Sequence, residues 1–553
     1  MNKSLSFLAL LLFTIFHSAQ GQQSKYYISA PTDLKEVGMN KVLCMKNGNT
    51  MLFHFEPRKH VVVKVFDSLH KEIASQKHLC NVLDINVFET SVFKGLYDIN
   101  GDAVLFVEQV HANKRVLVRV RFNAVNGEII DETVPAESQS MLKPASFYVM
   151  KEKTSDNYSI LSCTDVPQFK ECKVSVTYYN NRHETLREVQ IPVDTKNYDY
   201  VNIVGAESQV SGTCISIGLT KLVTNETSHD ASDNINTANV YDHVLMMAYI
   251  PANSSEVRAK QIDLSTELYP YYTNFTYNPF AQSLNVLLLS YKEFMQRRGL
   301  ESQPIAQKAS MIFTLDEASM SLKYNWIKNH FANIYYKQQT DSTKLFEGLP
   351  LKLFTNNNGL STLIYQSYSQ YSDVETNARA NVYDSYFGKI CITQCDDDGN
   401  ELWGIVLPQS QYLMSYKHYY HADELSKRWQ NQQMFDDLPA QVYNRQFVSL
   451  NAYTFNKDYY IIFNDNNSNF SNSMAHPGDT VYSFATTNAC YYKMDKKKEI
   501  TKSYLFGEPV PGEYNSSFIE GADFDEQKGT YVTLLQCRKD NETKLCVAWC
   551  QLR

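Results

Sequence analysis

The chain reads as an all-β repeat protein, and three observations carry that reading. Apolar residues alternate with polar ones at period two along most of its length, as half-buried strands require. Aromatic residues are abundant, with 38 Tyr and 29 Phe among 553 residues, and such side chains fit a pleated, half-buried surface. The same strand–turn–strand ending also recurs along the chain.

Two copies of that ending are clear. Residues Arg121–Gln139 read RFNAVNGEIIDETVPAESQ and residues Thr393–Gln411 read TQCDDDGNELWGIVLPQSQ. Each runs strand, Asn/Asp–Gly turn, strand, Pro and Ser–Gln. Asn126-Gly127 and Asp398-Gly399 are hairpin signals, because Gly accepts the positive φ that a tight turn needs. Looser copies occupy Val65–Ala74, Tyr178–Pro192, Tyr249–Leu264, Phe313–Trp326 and Tyr491–Phe506. Upstream of the copies lie further pairs of apolar strands, such as those beginning at Asn49, Asp102, Asn157 and Thr530. The count is about eight units of four strands, starting near residues 40, 95, 146, 200, 273, 350, 447 and 517.

Units of four short strands resemble the blades of β-propellers, as a class of secreted repeat proteins. The resemblance implies one ring of seven to eight four-stranded blades; two smaller rings are the alternative. The last unit stops at Cys550–Arg553, directly after its third strand, and Lys25–Ala30 (KYYISA) offers the missing fourth. Pairing them closes the ring and removes two exposed sheet edges. No named propeller family matches: there is no Gly-His…Trp-Asp pattern, no Gly-Gly pair and no repeated Asp-box. Asp397-x-Gly399 followed by Trp403 resembles an Asp-box or a quinoprotein docking turn, but it occurs once.

The net charge of −8 argues against nucleic acid as a partner, since phosphate binding needs clustered Lys and Arg. Lys496–Lys498 reads as a solvated turn. The first 21 residues have the form of a secretory signal peptide: Lys3, an apolar core from Leu5 to Phe16, and small residues before Gln22. That core is too short to span a bilayer, and no other segment reads as a transmembrane segment. The expected arrangement is a leader over 1–21 and a single propeller domain over 22–553, exported to the periplasm, the outer membrane or beyond.

Eleven cysteines in an exported chain should include disulfides. Cys163 and Cys172, and Cys537 and Cys546, bracket probable hairpin turns at identical spacing and are read as cross-strand disulfides. Zinc is the rival, without the paired CxxC spacing it prefers. Cys391 and Cys395 read as buried thiols. No metal and no cofactor is expected.

Function is read from the insertions. Long connections fall at about 224–241, 293–308, 371–386, 410–447 and 465–479, all on one rim of a propeller, where binding residues concentrate. The 410–447 connection carries Tyr412, Tyr416, His418, Tyr419, Tyr420 and His421, then a helix expected over about Asp423–Phe435 with Leu425, Trp429 and Met434 on one stripe. The stripe either caps the ring with the tyrosines packed beneath, or the aromatics form a platform for a sugar or a protein. His418 and His421 beside Asp423 and Glu424 lack the specificity of a metal motif. The acidic loops Thr224–Asp242 and Asp465–Ser473 read as solvated loops, lacking EF-hand spacing. The sequence holds no Gly-x-Ser-x-Gly elbow, HExxH, P-loop or GxGxxG. The expected function is therefore a non-catalytic binding or scaffold protein of the bacterial cell envelope, taking a protein or glycan partner through this Tyr-rich rim. A polysaccharide hydrolase or lyase on the same scaffold is the alternative.

Overall fold

A computed structural model shows an eight-bladed β-propeller. It describes residues 25–553 save for 35–37, 57–59, 112–113, 138–145, 167–170, 194–196, 199, 230–234, 264–267, 279–282, 293–306, 317–318, 341–344, 356–358, 374–381, 397, 416–431, 434–445, 471–477 and 541. The innermost (A) strands begin at Met39, Val92, Ser146, Tyr200, Leu268, Leu349, Leu450 and Tyr514. Each lies within a few residues of the unit start expected from sequence. Each blade is an antiparallel sheet, and in blades 1 to 7 the four strands follow one another in chain order.

Burial follows the layering. The B strand of blade 1, Thr50–Glu56, is buried along its whole length, while its D strand, Glu72–His78, is largely open to solvent. A middle strand is covered on both faces by the neighbouring blades and so carries a continuous apolar run; an outer strand is covered on neither. The core therefore lies between blades: Phe53, Val63 and Val65 of blade 1 pack with Leu105, Val107 and Phe122 of blade 2. Ile160 and Tyr158 of blade 3 meet Val104 and Phe106 of blade 2.

Four of the C–D turns share one device. Asp67, Asn180, Asp396 and Asp495 each follow a C strand and accept two backbone N–H groups on Oδ1, from positions two and four residues on. The residue three positions on has positive φ: His70 (66°), His183 (67°), Gly399 (78°) and Lys498 (67°). The Asx side chain holds the turn, so glycine is not required at the left-handed position. Asn126-Gly127 and Asp398-Gly399 are the two turns where the glycine is present.

The ring closes between the two ends of the chain. Lys25–Ile28 pairs antiparallel with the C strand of blade 8, placing Tyr27 opposite Trp549. Ser29 N–H donates to Val547 O at 2.8 Å and Thr32 N–H to Leu545 O at 2.7 Å. The Trp549 indole then bridges to blade 1, donating Nε1–H to Thr50 Oγ1 at 2.9 Å.

Neither expected cysteine pair sits directly across its hairpin. Cys163 lies opposite Val174 and Cys172 opposite Asp165, while Cys537 lies opposite Lys544 and Cys546 opposite Leu535. Each pair is two positions out of register, in opposite senses, because the hairpin turns differ in length. Cys391 and Cys395 are fully buried in the blade 5–6 core, where burial raises both thiols, Cys391 to about 12. Among the described residues no helix is long and apolar enough to cross a membrane.

Candidate functional site

The rim carrying the B–C hairpins is uneven. In blade 4 the B strand, Gly212–His229, outruns the A strand, which pairs only as far as Thr220. Lys221–His229 continues in register with Ile235–Asp242, so about 30 Å of two-stranded ribbon projects from the ring at about 3.3 Å per residue. In blade 6 the B strand continues from Ser367 to Asp373, paired with Val382–Phe387. The polar segments read as long loops at 224–241 and 371–386 are thus largely ladder. Their Ser- and Asn-rich composition resembles a loop, but the residues pair across the hairpin as antiparallel ladders.

The outer edge of the blade 6 ribbon is taken by an added strand, Gln411–Ser415. Alternation sorts its side chains. Gln411 points inward and is fully buried; its Nε2 donates to Asn464 O at 2.9 Å and its Oε1 accepts Ser449 N–H at 2.7 Å. Leu413 joins the hydrophobic core. Tyr412, between them, points outward.

Tyr412 is the centre of an aromatic ladder. It lies directly opposite Tyr386 in the strand register, with ring centroids 5.2 Å apart. On its other side Tyr482 stands 5.3 Å away. Tyr482 is held by Val481, whose N–H donates to Ser410 O and whose carbonyl accepts Tyr412 N–H, both at 2.9 Å. Val481 is buried while Tyr482 is 67% exposed. Tilted rings at these separations stack favourably, and the ladder presents an open aromatic face fixed by buried polar ties to blade 7. Behind it, Tyr368 packs on Phe387 at 5.3 Å and hydrogen-bonds Ser385 Oγ at 3.3 Å.

Of the rim residues singled out by sequence, Tyr412 is placed in this ladder. Tyr416, His418, Tyr419, Tyr420, His421 and Trp429 lie outside the described residues. The expected helix does not reach its predicted end: Gln432–Gln433 form extended pairs with Val92 and Phe93 of blade 2. Blade 2 stands diametrically across an eight-membered ring from blade 6. The connection returns at Gln446, whose Oε1 accepts Asn40 N–H at 2.8 Å and whose Nε2 donates to Gly38 O at 3.0 Å. The cost of leaving the edge of blade 2 unpaired explains the extended pairing better than helix propensity predicts.

Tyr386 and Tyr482 were not singled out by sequence. They lie 26 and 70 residues from Tyr412, and only the alternation around each (Ser385 and Phe387 in, Tyr386 out) would have placed them on an outer face.

Polar groups also meet around the ring axis. Lys352 of blade 6 is open to solvent, with Glu207 of blade 4, Lys153 of blade 3 and Glu526 of blade 8 close enough to act on its charge. Lys153 pairs with Glu207 at 2.9 Å. Nearby, Asp523 accepts Cys44 N–H at 2.7 Å, and burial raises its carboxyl. Among the described residues no group of three or more His, Cys, Asp and Glu is arranged to hold a metal ion.

No protein-family model matches the chain, and no curated protein matches it. Solved structures resemble it at low identity. A prolyl endopeptidase matches at 10% identity with a TM-score of 0.38, over 91% of this chain and 55% of its own. The polysaccharide lyase Uly1 matches at 10% identity and 0.37, over 83% of this chain and 89% of its own. The β-propeller domain of the trilobed protease from Pyrococcus furiosus, described as having an open velcro topology, matches at 10% identity and 0.32, over 82% and 97%. The chain spans about half the length of the endopeptidase. What it has in common with these structures is the propeller scaffold.

Proposed function

We propose that this chain is a non-catalytic binding or scaffold propeller of a bacterial cell envelope, recognising a protein or glycan partner on the blade 6–7 rim. The observation that carries the reading is the ladder Tyr386–Tyr412–Tyr482, with Tyr482 67% exposed beside the bridge residue Val481. A tyrosine offers a broad apolar face and a polar tip at small entropic cost, which suits both sugar rings and protein hot spots. The two projecting ribbons enlarge the surface that a partner would meet. The leader-like residues 1–21 support an exported location.

The test uses the full chain and a Tyr412→Ala/Tyr482→Ala variant. Both are run through gels holding cell-wall and capsular polysaccharides, and both are crosslinked in the envelope fraction of the native host. Retarded migration or a stoichiometric crosslinked protein is expected for the natural sequence. The variant should bind at least roughly thirtyfold more weakly, about 2 kcal/mol for truncating hot-spot rings. Unchanged binding by a folded variant would refute the rim assignment, and depolymerisation of any polysaccharide would favour the enzyme alternative.

A further inference from the structure

We propose that Cys537 and Cys546 form a reversible thiol–disulfide pair on the blade that closes the ring. Cys537 lies on the B strand of blade 8, Thr530–Lys539, and Cys546 on its C strand, Glu542–Gln551. The register sets Cys537 opposite Lys544 and Leu535 opposite Cys546. Residues two apart on a strand share a face, so the cysteines share one face and stand one diagonal step apart. Both are thiols in the structure; Cys546 is buried and Cys537 is partly open.

The two sulfurs differ in character. Interaction between the two sulfurs raises the Cys537 thiol and lowers that of Cys546; burial opposes the lowering at Cys546 and the Lys544 ammonium adds to it. Cys537, the partly open sulfur, is the one a dissolved oxidant can reach.

The diagonal placement separates this pair from a permanent staple. Diagonal neighbours on an antiparallel ladder stand about 7–8 Å apart, whereas disulfide Cα atoms usually lie about 4.4–6.8 Å apart. Oxidation must therefore shear the two strands by roughly an ångström, and strained, accessible disulfides are the readily reduced ones. The sequence expectation of a structural disulfide becomes that of a labile one.

The oxidant is a disulfide of the glutathione type, RSSR. Cys537 loses its proton and attacks one sulfur of RSSR, forming a mixed disulfide and releasing RS⁻. Cys546 then loses its proton, attacks Cys537 Sγ and expels the second RS⁻, and each RS⁻ takes up one of the released protons. The protein pair loses two electrons and two protons, and RSSR becomes two RSH. The new bond ties the C strand of blade 8, on which Lys25–Ile28 docks, to the B strand beside it.

The experiment equilibrates the folded full-length chain in glutathione mixtures of increasing oxidised fraction. Acid quenching, alkylation, digestion and mass spectrometry follow. The expected product joins the Cys537 and Cys546 peptides, two hydrogens lighter than the reduced pair. It should rise as the oxidised fraction rises and vanish when the mixture is reversed. In Cys546→Ser, Cys537 should accumulate a stable glutathione adduct, since the resolving thiolate is missing. Absence of the linked peptide at every ratio overturns the proposal. So does a linked peptide that survives millimolar reductant in the folded protein. The titration of the natural sequence decides the matter even where the variant fails to fold.

Discussion

Replacing Trp549 with alanine should loosen the seam at which the ring closes. The indole is 4% exposed. Its ring lies 5.5 Å from Phe66, 4.4 Å from His70 and 5.9 Å from Tyr27. An aromatic side chain buries about 150–250 Å², which at about 25 cal/mol per Å² is roughly 4–6 kcal/mol; measured losses for such truncations are about 3–5 kcal/mol. The hydrogen bond to Thr50 contributes about 1 kcal/mol of net stability, so burial dominates. Trp549→Phe, which keeps most of the apolar area, should cost only about 1–2 kcal/mol. Because Tyr27 sits opposite Trp549 on the closing strand, the two residues should couple. A double-mutant cycle of Tyr27→Ala and Trp549→Ala, read by urea unfolding, should give about 0.5–1.5 kcal/mol of interaction. Additivity within about 0.3 kcal/mol, or a Trp549→Ala loss below about 1 kcal/mol, would refute closure through this contact.

Two further outcomes follow from buried charge. Burial, reinforced by His60 and opposed by Glu56, holds the His54 imidazole down at about 4. That lies below its unfolded value of about 6.5, so the unfolded chain takes up the proton first as pH falls. Stability is complete above about 6.5 and should drop by about 2–3 kcal/mol between pH 7 and pH 4.5. His54→Gln should flatten that slope in urea titrations at the two pH values; an identical acid loss in the variant would count against it. In blade 2, Glu108 is 3% exposed between Arg115, whose Nη1 is 2.9 Å from Oε1, and Lys94, whose Nζ is 3.0 Å from Oε2. Glu108→Ala should cost about 3–5 kcal/mol by leaving the buried Lys94 ammonium uncompensated, and adding Lys94→Met should recover part of it. A double variant no more stable than the single one would show that the charge is not the cause.

Much of the scaffold is legible in residue order because it rests on local patterns. Alternation marks strands, the apolar-both-faces run at Thr50–Glu56 marks a middle strand, and the missing last strand points to Lys25–Ala30. Unit starts near 40, 146, 200 and 350 fall beside Met39, Ser146, Tyr200 and Leu349. The C–D turns were only half read. Asn/Asp–Gly marks two of them, whereas in four turns the physical signal is the Asx residue that follows the C strand, which frees the left-handed position to be His, Lys or Gly.

The site was less legible, for reasons of distance and register. Tyr412 could be singled out by composition, but its partners Tyr386 and Tyr482 join it only through a strand annexed by blade 6 and a segment stitched from blade 7. Gln432–Gln433 became strand because a free sheet edge lay across the ring, which no local propensity encodes. Identical spacing placed the two cysteine pairs on opposite diagonals, since one residue of turn length shifts every cross-strand partner. The sequence by itself determined the strands and their grouping into blades, set by neighbours in the chain, and pointed to the closing partner through the strand missing from the last blade. Only the tertiary structure decided which side chains meet at the rim, at the axis and across blade 8. Those meetings depend on hairpin register and on the circular order of the blades, and both are settled by packing between segments far apart in sequence.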